Sequence, residues 1–165
     1  MKQDISSIVT NNGGKISFHG KSVISSVTFC GSEYSFPEGM ELSGEIAKSA
    51  GDFIVNATVS GKVSTLCARC GKPVTEDFSF EMQETLVKDK ASCANDDAIV
   101  FTGNEIDLGA LALDSFFVNT SSRYLCNEEC KGLCPVCGIN LNEKECDCTT
   151  QASDPRFDIL NNLEF

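Results

Sequence analysis

Eight of the chain's ten cysteines fall in close pairs: Cys67-x2-Cys70, Cys126-x3-Cys130, Cys134-x2-Cys137 and Cys146-x-Cys148. Thiolates a few residues apart meet at one tetrahedral ion when the chain turns tightly between them. Eight such sulfurs make two four-thiolate sets and predict two Zn2+ ions. We assign Cys134, Cys137, Cys146 and Cys148 to one set, and Cys67, Cys70, Cys126 and Cys130 to the other. A second wiring stays open, with Cys126, Cys130, Cys134 and Cys137 in one site and Cys67, Cys70, Cys146 and Cys148 in the other. Across an extended Cys146-Asp147-Cys148 the side chains would point to opposite faces, so a turn is implied there.

The metal is needed because the segment from Arg123 to Phe165 is short of core-forming residues and rich in Cys, Asn, Glu, Gly and Thr. Such a stretch cannot bury enough apolar surface to offset its ordering entropy. The first residues, Met1 to Asn12, show no apolar signal-like run, and the expected location is cytoplasmic. In a reducing compartment paired cysteines serve as metal ligands or redox centres rather than disulfides. No apolar run reaches the ~20 residues that cross a bilayer, so no membrane association is expected. The net charge of -11 argues against a broad nucleic-acid-binding face and favours basic protein partners.

Alternating apolar residues over Asp52–Leu66 and Val74–Val87 predict two strands with one buried face each. Cys67 to Pro73 would join them as the tip of a hairpin, with Gly71 taking the positive φ of the turn. Lys15 to Phe18 and Val23 to Phe29 read as shorter strands, Asn11 to Gly14 as a turn or linker, and His19 as a loop residue. Lys88 to Asn104, with the unpaired Cys93, reads as a loop. Asn104 is expected to cap a helix over 105–118 whose face of Ile106, Ala110, Leu113 and Phe117 packs on the hairpin. A short helix is expected after Asp154-Pro155. The expected fold class is α+β: an antiparallel sheet on a central hairpin, one main helix and a zinc-ordered C-terminal segment. Its parts are a β-rich domain over 1–120 and a cysteine-rich zinc-binding segment over 121–165 packed on it.

A closed four-thiolate site leaves no open position for a catalytic water. No phosphate loop, Gly-x-Ser-x-Gly or acid/base pair accompanies it, so neither an enzyme nor a small-molecule substrate is expected. The alternative function is a redox-switched zinc chaperone or thiol sensor, a class that joins Cys-x-Cys to Cys-x2-Cys at one zinc ion.

Four strings then resemble, in order, the YceD family of bacterial and plastid proteins. They are Cys67-Ala68-Arg69-Cys70, Glu105-Ile106-Asp107-Leu108, the run from Cys130-Lys131-Gly132-Leu133-Cys134-Pro135-Val136-Cys137-Gly138 to Asn142, and Asp154-Pro155-Arg156-Phe157. The resemblance implies a ribosome biogenesis factor required for accumulation or processing of large-subunit (23S) ribosomal RNA. Its partners would be a basic ribosomal or assembly protein, the large-subunit rRNA, or both. Arg69, Lys72, Lys131 and Arg156, with Arg123, are the candidate contacts to RNA or partner. Tyr124 is the one aromatic near the cysteines that could stack on a base.

Overall fold

The computed structural model describes residues 1–11, 13–88, 98–121 and 123–148. Two long strands, β6 (Asp52–Leu66) and β7 (Pro73–Val87), form its spine and pair antiparallel from Phe53↔Leu86 to Leu66↔Pro73. Their alternation does what a period of two dictates: Phe53, Val55, Ala57, Val59 and Val63 are buried, while Asn56 and Thr58 face solvent. On the other edge of β6, β5 (Met40–Ser49) pairs from Met40↔Gly61 to Ser49↔Asp52. The tight turn between β5 and β6 uses Ala50 and Gly51, both at positive φ. β2 (Lys15–Ser22) pairs with β5. β3 (Ser26–Phe29) and β4 (Ser32–Ser35) form a hairpin that joins β6 at Ser35↔Ser64. β8 (Ile99–Val100) runs parallel to β7 at Leu86 and Val87 and completes a seven-stranded sheet. A two-stranded sheet pairs β1 (Lys2–Asp4) with β9 (Glu105–Asp107). The short α1 (Ser6–Val9) and the main helix α2 (Leu108–Asn119) are the helices of the described residues.

The fold is thus mostly antiparallel sheet with one main helix, and α2 closes the core. Leu108, Leu111, Ala112, Ser115 and Phe116 form its buried face. Phe116 is fully buried and meets Phe36 at 5.1 Å and Phe78 at 4.9 Å between ring centroids, edge to face. Such contacts add ~1 kcal/mol each beyond area burial. Tyr34 extends the cluster to Tyr124 at 6.1 Å, which brings the start of the cysteine-rich segment into the core.

Several expectations are corrected here. The helix begins at Leu108, because Glu105 to Asp107 extend to pair with β1 and Asp107, not Asn104, caps it. The Asp107 carboxylate accepts from the Gly109 and Ala110 amides at 3.0 and 3.2 Å. The buried face is therefore shifted: Ala110 is exposed, and Leu113 and Phe117 are half-buried. Nearly every position from Leu108 to Val118 is apolar, so periodicity alone could not choose the face. His19 lies within β2, 3.8 Å from Glu41 on β5, rather than in a loop. β2 runs past Phe18 to Ser22, and Val23 lies outside β3. The loop with Cys93 and the helix expected after Asp154 lie outside the described residues.

Candidate metal centres

The turn between β6 and β7 is a tight knuckle. The Cys67 amide donates to the Lys72 carbonyl at 2.7 Å, and the Gly71 amide donates to the Cys67 carbonyl at 2.9 Å. Gly71 sits at φ +72, where a side chain would strain the backbone. Cys134 repeats this pattern at the same offsets: its amide donates to Ile139 O at 2.8 Å, and Gly138 N donates to Cys134 O at 2.9 Å. The chain therefore makes the same knuckle twice, once between long strands and once closed by the Leu133↔Asn140 bridge.

Each knuckle meets a second cysteine pair. The sulfurs of Cys67, Cys70, Cys126 and Cys130 lie within 4.8 Å of one another, and so do those of Cys134, Cys137, Cys146 and Cys148. The alternative wiring is not the one the fold brings together. Cys67 and Cys130 Sγ are 3.9 Å apart, and Cys70 and Cys126 Sγ 3.5 Å. A tetrahedral ion with ~2.3 Å metal–sulfur bonds requires sulfurs just under ~4 Å apart. Each set could hold one metal ion.

The thiols show the same convergence electrostatically. The Cys126 backbone amide, bonded to its sulfur, lowers Cys67 to about 6, whereas the thiol hydrogen bond from Cys70 drives Cys126 up to about 12. In the second set the Cys137 amide lowers Cys134 to about 6, and the Cys137 thiol raises Cys148 to about 12. Four thiolates cannot share such a space without a cation between them.

Polar links join the two centres. The Asn142 side chain accepts from Lys131 N at 2.8 Å and donates to Cys130 Sγ at 3.3 Å, so a residue of the second loop steadies a sulfur of the first. Leu133 N donates to Arg69 O at 3.2 Å, and Lys72 pairs with Glu143 at 2.8 Å. The Arg69 guanidinium donates to the carbonyls of Glu128 at 3.0 Å and Cys130 at 2.8 Å. Gly132 permits this approach, since a Cβ there would lie 3.1 Å from Arg69 O. Asn142→Ala is expected to weaken metal retention by about 10-fold to 100-fold at the Cys67 set, with little change at the Cys134 set. Competition with a chromogenic chelator, read beside the matching cysteine variants, separates the two.

Arg69 and Lys72 are thus engaged within the knuckles, while Lys131 and Arg123 are exposed and Arg156 lies outside the described residues. Tyr124 is buried, and its core packing removes it as a platform for a stacked base. The Ala68 amide donates to its carbonyl at 2.9 Å. Sequence reasoning missed Asn142 as a site residue. The signal was there in Asn140-Leu141-Asn142, where Asn140 Oδ1 accepts from the Asn142 amide at 3.0 Å and shapes the turn. Cys30 stands apart from both sets, exposed in the β3–β4 turn at positive φ.

No helix of the described residues is long and apolar enough to cross a membrane. A family model described as "Large ribosomal RNA subunit accumulation protein YceD" matches residues 55–164, the span that holds all eight paired cysteines. A curated relative from Arabidopsis thaliana, named "Large ribosomal RNA subunit accumulation protein YCED homolog 1, chloroplastic", is 36% identical over 59 residues. That stretch covers 36% of this chain and 18% of the relative. No solved structure matches.

Proposed function

Because the chain belongs to the YceD family of large ribosomal RNA subunit accumulation proteins, we propose that it is a non-enzymatic factor for accumulation or processing of large-subunit rRNA, held in shape by two structural zinc ions. The observation that carries this reading is the coincidence of the family match with the span of both sulfur sets. Zinc fits because the donors are all thiolates at tetrahedral spacing, the set that soft, redox-inert structural zinc prefers. The ions would fix a segment, about 121–165, to the β-rich part, about 1–120. The proposed place of action is the cytoplasm.

The net charge of -11 supports a basic ribosomal or assembly protein as the direct partner, with the effect on RNA following from that contact. Arg69 and Lys72 support it too, since both already serve carbonyls or a carboxylate within the knuckles. Direct contact with rRNA would then fall to the exposed Lys131 and Arg123 among the described candidates.

Depletion of the protein is expected to lower large-subunit rRNA relative to small-subunit rRNA, with restoration by the wild-type chain. An unchanged ratio contradicts the reading. The route is checked by titrating the purified protein with large-subunit RNA fragments across a salt series, beside extracted ribosomal proteins. Weak RNA binding beside tight protein binding is expected. Tight protein-free RNA binding with a steep salt slope, abolished by Lys131→Glu with Arg123→Glu at unchanged metal content, would overturn the indirect route.

A further inference from the structure

β7 is an edge strand for most of its length. The Cys67 amide bonds to Lys72 O, and the same alternation carried along the β6–β7 register assigns Val74, Phe78, Phe80 and Met82 backbone groups to the β6 ladder. Thr75, Asp77, Ser79, Glu81 and Gln83 then direct their N–H and C=O groups away from β6. The far end agrees, because Val87, of the same parity, turns its carbonyl outward to accept from Phe101 N at 3.0 Å. Among the described residues, β8 pairs with β7 only at Leu86 and Val87, and nothing pairs with the outward groups from Thr75 to Gln83.

Two further features say what fits this edge. On the core side Phe78 and Phe80 are only half-buried, with ring centroids 6.1 Å apart, and form an apolar ledge beside the open backbone. On the solvent side Asp77 and Glu81 are exposed, and the facing Lys62 is already held by Glu38 at 3.1 Å. A second copy is a poor occupant, since antiparallel self-pairing about Ser79 would set Asp77 against Glu81 twice.

We propose that the outer edge of β7 from Thr75 to Gln83 receives an additional β-strand from a basic protein partner, a segment that alternates apolar residues over Phe78 and Phe80 with Lys or Arg beside Asp77 and Glu81. Main-chain hydrogen bonds supply the affinity and the alternating side chains the selectivity. This rests on the reading that the partner is a basic protein.

The probe is a capped peptide of alternating valine and lysine, about eight residues long, titrated against the zinc-loaded full chain. Ser79→Pro removes an outward N–H and leaves the β6 ladder intact, as Pro73 already does at the strand's start. It is expected to weaken the peptide at least about tenfold, with unchanged melting and metal content. A peptide N-methylated at alternate residues makes the same test on the unmodified protein. Asp77→Lys with Glu81→Lys should also weaken it, and amide exchange at Ser79 and Glu81 should slow on binding. Loss on charge reversal alone, with Ser79→Pro and N-methylation without effect, overturns strand addition. A second arm uses extracted large-subunit ribosomal proteins. Equal retention by wild type and Ser79→Pro refutes the edge and leaves the basic-partner reading standing. Peptide binding at the edge with no ribosomal protein retained refutes that reading and leaves the edge.

Discussion

Cys67→Ser is expected to lower the midpoint of global unfolding by on the order of 10 °C, and Cys146→Ser by much less. Cys67 follows the last residue of β6, and its set ties residues 126 and 130 back to the β6–β7 turn across a long loop. Closing that loop removes much of the entropy the segment would otherwise keep. With the Cys67 set opened, the links left between segment and turn are a few exposed or half-buried contacts, such as Arg69 to Cys130 O and Ala68 N to Tyr124 O. Cys146 belongs to a set whose ligands all lie between Cys134 and Cys148, so its loss frees only that loop. Thermal unfolding followed by far-UV circular dichroism reads the difference. Equal shifts would contradict this division of labour.

Phe116→Ala is expected to cost about 3–5 kcal/mol in denaturant unfolding, through a cavity that α2 cannot close. Phe116 is fully buried, and Tyr34, Phe36, Phe78 and Phe117 all lie within aromatic contact. Metal content should stay at the wild-type level, since no metal-set sulfur touches this cluster. The two substitutions therefore make opposite dissociations, one losing metal with the sheet core intact and the other losing core packing with the metal kept. A loss below about 1 kcal/mol for Phe116→Ala would mean that α2 is not the lid of this core.

The sequence made the β6–β7 hairpin legible because its apolar residues alternate without interruption over two long runs, and a knuckle with Gly71 and Pro73 could only sit between them. Spacing made the cysteine pairs legible but left two ways of joining them, and the fold brings together Cys67, Cys70, Cys126 and Cys130. β5 was not read, because Gly44 interrupts the alternation between Leu42 and Ile46, and its strand character comes from pairing on both sides with β2 and β6. Lys2 to Asp4 has no strand propensity of its own; it is a strand because Glu105 to Asp107 pairs with it. That long-range pairing also moved the start of α2 and with it the buried face. Tyr124 looked like a surface aromatic because its neighbours are polar, yet it packs against Tyr34, far away in sequence. What local spacing determines could be read, and what distant pairing determines could not.

Metal content of the reduced, purified chain tests the central claim most directly, by elemental analysis with native mass spectrometry on wild type, Cys67→Ser and Cys146→Ser. The expected result is two zinc ions per wild-type chain and one in each variant, with the remaining ion held by the untouched set. Absence of zinc from the wild type, an iron–sulfur chromophore, or loss of all metal from both variants would contradict two separate four-thiolate centres.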